Sequence, residues 1–374
     1  LPSSIEGLAN RGRPSMTFPV PSRAGARIVR HRGGRAQPNS TPCSPPSSTA
    51  LSAANYRPAP EAMRIPPKIQ SAPFDVANWE MDAEFGVFPQ GARAKDAVFV
   101  PSPPPESILL PGRRYLFKRS KRSYPDQFWG EIVAYRIGCL MGVEVPPAFA
   151  AWNSHTGICA ALIEWFYVDH AQAFLLAGDF LQQIQKGFDR DKGEQHNMKD
   201  NELLLRVFVQ NKLLHQDWRQ WWVDALLFDA LIGNTDRHQD NWGVVLDART
   251  KTFSLSPLFD NGTSLGHERF PERVAHWSDE DTDRYIRKGH HHVRWSLAEP
   301  HLRGHLVLLE RALKEWPETR AVARGRLDFS AGELTEAIAD LMELALPVRL
   351  LPERMRFMLR LLKRRRQLLQ SILV

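Results

Sequence analysis

Long apolar runs are missing from this 374-residue chain: none reaches the roughly 18 residues that a membrane-spanning helix needs. Cysteine is scarce. The three present, Cys43, Cys139 and Cys159, are odd in number and lack metal-like spacing, which speaks for a reducing compartment and against a disulfide framework. No apolar core follows the early arginines as a secretory signal requires, so the expectation is a cytoplasmic chain. Internal repeats at a period of about 20 to 50 residues are absent too. The body also lacks a charge surplus. The chain carries +7 overall, but residues 1–70 hold ten Arg or Lys against two acidic residues, so the remainder is left at −1. A body that gripped nucleic acid directly would carry its own basic surface, and direct binding is therefore not expected.

What is present begins with a tail. Residues 1–65 are rich in Pro, Ser, Arg, Gly and Ala and cannot bury enough apolar surface to offset the entropy of ordering. They read as a disordered basic segment. A transit peptide, a basic arm on nucleic acid or anionic lipid, and a start at Met63 remain open beside that reading. Beyond it, 43% hydrophobic residues are enough for a real core, and the length suits two or three domains or one two-lobed enzyme.

The organising stretch is Leu231-Ile232-Gly233-Asn234-Thr235-Asp236-Arg237-His238-Gln239-Asp240-Asn241-Trp242. An apolar helical run enters it at Trp221–Ile232 and a strand-like run leaves at Trp242–Leu246, so a polar loop is held between two apolar elements. Asp236 and Asn241 are five apart, the spacing of the Asp and Asn in a kinase catalytic loop. A second strand-like run, Thr252–Leu255, then leads to Pro257-Leu258-Phe259-Asp260-Asn261-Gly262. The bland alternative is a loop whose Asp and Asn only form turns.

The order D-R-H-x-x-N followed by P-x-F-D resembles the HipA-like kinases and, more distantly, the phosphatidylinositol kinases. The resemblance implies an α+β, two-lobed protein-kinase-like fold, with a small β-rich N-lobe at 66–165 and a mostly helical C-lobe at 166–374. It implies transfer of the ATP γ-phosphoryl group to Ser or Thr of a protein. Asp236 would be the base or orienting group, Arg237 and His238 would shape the loop, with His238 bonding a neighbouring acid, and Asn241 and Asp260 would hold Mg2+. Family members often work in toxin–antitoxin pairs beside a DNA-binding partner, so such a partner is a family expectation. A phosphatidylinositol-type lipid kinase and an inactive nucleotide-binding module are the alternatives. Residues 261–266 contain no Lys or Arg, which counts against the lipid kinase.

The remaining ATP contacts follow in chain order. Strand, turn and strand are read over Ile108–Leu110, Pro111-Gly112 and Tyr115–Lys118. Lys118 would contact phosphates, unless it is a solvated strand-end lysine. The loop 119–125 has no glycine, yet Ser120 and Ser123 could cover phosphates with backbone N–H groups. Asp126 is read as N-cap of a helix to about Met141, on which Glu131 would pair with Lys118 or lie on a solvated face. A hairpin, Ala148–Ala151 and Ile158–Ile163, runs into Glu164-Trp165-Phe166, read as the adenine hinge, with Trp165 and Phe166 equally suited to packing between lobes. Helices are expected at 171–185, 201–215, 218–232, 302–316, 331–345 and 352–373. The last is read as packed with a solvated charged face at Lys363–Arg366, a membrane-surface helix being the alternative. His290-His291-His292 suggests a metal tract without a second ligand cluster. Trp218, Trp221 and Trp222 are read as packing, with a base-stacking platform as the alternative.

Overall fold

The computed structural model describes residues 64–83, 95–299 and 301–374. Most of the tail, and Cys43 within it, lie outside the described residues. Arg64 and Ile65 already belong to the body: Arg64 pairs with Glu333 at 2.5 Å and the Ile65 N–H bonds the Cys139 carbonyl at 3.0 Å.

Seven elements open the fold: β1 (Phe74–Asp75), β2 (Glu80–Met81), β3 (Lys95–Phe99), β4 (Arg114–Arg119), α1 (Trp129–Met141), β5 (Ala148–Asn153) and β6 (Ile158–Glu164). The strands form one sheet in the order β1-β5-β6-β4-β3-β2, antiparallel except for β1 on β5. The β5–β6 hairpin closes through the Gly157 N–H, which bonds the Asn153 carbonyl at 2.8 Å; Gly157 has φ +68°, a value that disfavours side chains. Side chains along a strand alternate between faces. Here Ala148, Ala150, Cys159 and Ala161 face the core shared with α1. Phe149, Ala151, Ala160 and Leu162 face a smaller core with Phe74, Val98, Tyr115 and Phe117. Both faces are covered, which is why the hairpin reads as continuous apolar runs.

Two local expectations fail here. Ile108–Leu110 is a turn, its Leu109 N–H bonded to the Glu106 carbonyl at 3.1 Å, and β4 pairs with β3 instead. The prolines at 101 and 103–105 prevent an earlier strand pairing. Asp126 does not cap α1, whose N-cap position is Phe128; its carboxylate receives Arg354 at 2.7 Å.

The rest is mainly helical: β7 (Gln172–Leu176), α2 (Ala177–Ile184), α3 (Met198–Gln210), α4 (Trp218–Ile232), β8 (Gly243–Asp247), β9 (Phe253–Leu255), α5 (Pro271–Val274), α6 (Asp279–Lys288), α7 (His305–Glu315), α8 (Arg320–Arg326), α9 (Ala331–Ala339) and α10 (Pro352–Leu373). The helix expected from Ala171 is half strand, because β7 pairs antiparallel with β8, and β8 with β9. Tertiary pairing overrides local preference there. The helix expected at 201–215 ends at Gln210; Lys212 then takes φ +58° and turns the chain.

The helix α4 is the axis of this half. The Asp217 side chain accepts from the Arg219 and Gln220 N–H groups at its start, and Gly233 closes it with φ +71°. It is buried nearly all round, with α7, α8 and α10 against it. Trp222 and Trp242 meet edge to face at 5.0 Å, and Trp218 and Trp316 at 5.4 Å. These tryptophans pack the core and offer no stacking platform. The helix α10 is not charged on one solvated face alone: Arg365 is buried against α4. No described helix is long and apolar enough to cross a membrane.

Candidate active site

The polar loop after α4 is built around Arg237. Its side chain is 0% exposed and forks onto Asp229, in the middle of α4, with Nη2 at 2.8 Å and Nε at 3.0 Å. The same guanidinium donates to the Asn241 carbonyl at 3.1 Å, to the Phe259 carbonyl, and to Asn261 Oδ1 at 2.8 Å. One buried cation thus ties the helix, the far end of the loop and the segment after β9. Asp236 is half-buried; its backbone N–H bonds Asn234 Oδ1 at 3.0 Å, and Thr263 Oγ1 donates to its Oδ2 at 3.4 Å. Asn241 donates its amide N–H to the Asp236 carbonyl. His238 accepts at Nδ1 from the Asp240 N–H at 3.2 Å and sits edge to face with His292 at 5.7 Å. Its ring nitrogen therefore meets a backbone N–H, and not the acid expected of it. Asp240 is clamped by Arg190, which also holds Asp179.

On the sheet, Lys118 is the last residue but one of β4 and only 4% exposed. Its Nζ lies 2.7 Å from Glu131 Oε1 and 2.6 Å from Asp260 Oδ1. The other Glu131 oxygen accepts the Asn261 N–H at 2.8 Å. Sheet, α1 and the Phe259–Asn261 segment therefore converge on one ion cluster, and Glu131 is not on a solvated face. Asp260 holds φ +58°, an uncommon backbone state for a residue with a side chain, with its neighbours on both sides fixed by Arg237.

The glycine-free loop is fastened rather than open. Ser120 Oγ accepts the Phe128 N–H at 2.9 Å at the entrance to α1. Gln127 accepts the Lys121 N–H at 3.2 Å and donates to the Gly262 carbonyl at 3.1 Å. Ser123 is exposed at the loop tip. At the expected hinge, the Glu164 N–H goes to the Pro147 carbonyl at 2.8 Å and the Trp165 N–H to the Arg114 carbonyl at 3.2 Å. The Glu164 carboxylate is held by Lys68 at 2.6 Å and by the Tyr115 hydroxyl at 3.1 Å. Trp165 lies under Arg114 at 4.8 Å. Phe166 stacks on Phe259 at 5.4 Å, joining the hinge to the segment that carries Asp260.

The model of the HipA-like C-terminal domain matches residues 88–319. The chain belongs to the HipA-like C-terminal domain family. The serine/threonine-protein kinase CtkA of Helicobacter pylori is 30% identical over 143 residues, 38% of this chain and 42% of that protein. The match thus spans less than half the length of that relative. The crystal structure of the H. pylori proinflammatory kinase CtkA overlays with a TM-score of 0.63 at 16% identity, covering 80% of this chain and 96% of that one. This establishes a shared α+β kinase-like fold. HipA of Shewanella oneidensis, from its complex with HipB and operator DNA, overlays with a TM-score of 0.38 at 12% identity over 78% of this chain and 68% of that one.

Beneath the cleft of this HipA-like chain lies a buried polar network that the sequence did not announce. Asp229 also receives His291 Nε2 at 2.8 Å and Asn234 Nδ2 at 3.1 Å. Burial alone would raise the Asp229 carboxyl, but the Arg237 charge and the bonds from His291 and Arg237 outweigh it and hold it well below the usual carboxylate range. His305 bonds the Asn234 carbonyl through Nε2 at 2.7 Å; burial, then Arg365 and His291 nearby, press its imidazole down to about 3. Arg365 reaches from α10 to the Ala230 carbonyl at 3.1 Å, at the C-terminal end of α4, where a cation is favoured. Burial pushes its guanidinium down to about 10. The His290–His292 tract is thus divided between structural contacts, and no group of three His, Cys, Asp or Glu side chains among the described residues could hold a metal. The sequence holds one signal for Asp229: it is the single polar residue in the apolar stretch 225–232, and an acid there requires a buried partner.

Proposed function

We propose that this protein is an ATP-dependent kinase that transfers the γ-phosphoryl group to a Ser or Thr hydroxyl of a protein. What supports this most is Lys118, held between Glu131 and Asp260 while the Asp236–Asn241 loop is locked to the same segment by Arg237. In protein kinases a strand lysine pairs with a helix glutamate, and a second Asp and the loop Asn hold the metal. CtkA, named a serine/threonine-protein kinase, supports the acceptor class.

In this reading Lys118 Nζ binds a nucleotide phosphate, and Glu131 keeps the ammonium aimed into the cleft. Asp236 orients the acceptor hydroxyl and takes its proton; the Thr263 hydroxyl and the Asn234 side chain fix its position. Asn241 and Asp260 offer hard oxygen donors, which suit Mg2+. Two such side chains are too few for a closed site of their own, as expected where nucleotide phosphates complete the shell. When bound, that ion would neutralise charge developing on the phosphoryl oxygens. A DNA-binding antitoxin-type partner rests on the family resemblance alone; an overlay with a TM-score of 0.38 adds no weight to it.

The test is radiolabelled phosphate transfer from ATP. Asp236→Asn should lower kcat by about 10²- to 10⁴-fold, the usual contribution of a positioned base, with nucleotide affinity nearly unchanged. Asp260→Ala should weaken Mg2+-dependent nucleotide binding as well. Label should appear on protein Ser or Thr and not on phosphatidylinositol. Wild-type turnover by Asp236→Asn, or label on lipid alone, would refute this reading.

A further inference from the structure

We propose that His291, which lies outside the loop motif, is a positioning residue for the metal-holding edge of the site: through Asp229 and Arg237 it fixes Asn241 and the Asp260 segment. The proposal rests on the kinase reading above.

The geometry begins with the Asp229 carboxylate, which accepts four bonds. Oδ1 takes Arg237 Nη2 and Asn234 Nδ2, and Oδ2 takes Arg237 Nε and His291 Nε2. An ionised carboxylate offers about four lone-pair positions, so the set is complete only with His291. Asp229 is ionised and can only accept, so His291 Nε2 carries the proton. Nδ1 is then the acceptor facing the Val293 N–H at 3.4 Å. The ring is fully buried, and its backbone N–H is tied to the Arg303 carbonyl at 3.2 Å. It is therefore an anchored donor, not a side chain that settles wherever the acid lies.

Without that donor, Asp229 Oδ2 keeps one bond in a site from which water is excluded. A buried anion short of donors recovers by drawing in the nearest cation, here Arg237. Arg237 cannot move alone. It holds the Asn241 carbonyl, the Phe259 carbonyl and the Asn261 side chain, the last two flanking Asp260. The Asn261 N–H is in turn held by Glu131, the partner of Lys118. A displaced Arg237 thus shifts both proposed metal ligands together. Residues that orient metal ligands without touching the metal typically contribute 10- to 100-fold in metal affinity.

The experiment measures binding of a fluorescent ATP analogue to the full chain while Mg2+ is titrated, without turnover. His291→Gln places an amide N–H near the position of Nε2 and keeps the donor. His291→Asn fills the site with a polar group too short to reach Asp229. The expected result is a rise of about tenfold or more in the Mg2+ concentration for half-maximal binding with His291→Asn. His291→Gln should lie near the wild type, and binding in EDTA should be equal in all three. A lowered melting temperature with an unchanged Mg2+ midpoint for His291→Asn would overturn the proposal, leaving His291 a packing residue. If His291→Asn does not fold, His291→Gln decides: a folded protein with a Mg2+ midpoint raised tenfold refutes the donor role, and a wild-type midpoint supports it. Wild-type binding that does not depend on Mg2+ at all would overturn the metal reading beneath the proposal, an outcome visible before any variant is compared.

Discussion

Replacing Arg237 with Met is the sharpest probe of what holds this site. Arg237 and Asp229 are both 0% exposed, so the substitution leaves a carboxylate in the protein interior without its counter-ion. Removing one partner of a buried pair typically costs about 3–5 kcal/mol, because the remaining charge is uncompensated. The Asn241 and Phe259 carbonyls and the Asn261 side chain lose a donor as well, so the upper part of that range is expected. Arg237→Lys keeps the charge but not the fork, and should recover only part of the loss.

The pH dependence separates this cause from simple loss of packing. In the wild type the folded Asp229 carboxyl lies well below its unfolded value of about 3.9. The pair's contribution is therefore fully present above about pH 4 and is lost only as pH falls through the depressed folded value. In Arg237→Met burial is left to dominate and raises the carboxyl above its unfolded value. The variant should then be relatively most destabilised near neutrality, and the difference from wild type should shrink as pH falls toward about 4. Urea unfolding at pH 7 and pH 5 measures both quantities. A difference below about 1 kcal/mol, or one equal at the two pH values, would refute the reasoning.

Two further outcomes test the surrounding network. His305 titrates at about 3 when folded and near 6.5 when unfolded, so its stabilisation is full above about pH 6.5 and declines by about 1.4 kcal/mol per pH unit as pH falls toward the folded value. His305→Gln keeps a donor for the Asn234 carbonyl but cannot titrate, so its urea midpoint should fall less steeply between pH 6.5 and 4.5; parallel curves would rule this out. Gly233→Ala places a methyl at φ +71°, against the Arg365 guanidinium. The backbone state alone costs about 1–2 kcal/mol even if Arg365 moves aside, so thermal unfolding should show a clear drop in Tm, and an unchanged Tm would refute the expected strain at this position.

The parts of this fold legible in the sequence are those with local punctuation. The helix α4 is read at its true limits because Asp217 starts it and a glycine ends it, and α10 because Pro352 opens it. The loop motif is legible because its polar residues interrupt two apolar runs. Contacts between segments far apart in the chain are not. Gln172–Leu176 looks helical until β8, some seventy residues later, offers it an edge. The sequence marks Lys118, Glu131 and Asp260, and Glu131 as a partner for Lys118, but that Asp260 reaches the same ammonium follows only from the fold. The helix α6 went unread because it buries little beyond Thr282 and Ile286, although its Ser278–Asp281 capping box was a usable start signal. Three successive histidines without a second ligand cluster do not make a metal site, and nothing local in the sequence shows that the middle one faces a buried acid.

The charges around the cleft bear on the form in which a nucleotide can enter. The Arg237–Asp229 pair is internally balanced and adds little net field outside its pocket. Arg119 is matched by Asp96, and Arg190 by Asp179 and Asp240. Lys118 is already shared between two carboxylates, Glu131 and Asp260, with Asp236 on the loop locked to that segment. Among the described residues, a bare triphosphate at Lys118 would therefore meet an ammonium already matched by two carboxylates, with Lys121 and Arg122 on an exposed loop where water and salt screen their charge. Like charges a few ångströms apart repel by several kcal/mol at the effective dielectric of a partly buried site, so Glu131 and Asp260 weigh against the free anion. On the proposed reading, Asp260 would face a divalent cation carried on the phosphates instead of the bare anion, and Lys118 would be free to turn to a phosphate oxygen. On the proposed reading, then, the ion pair between Lys118 and Asp260 belongs to the nucleotide-free protein, and the metal–nucleotide complex exchanges it for two new pairs.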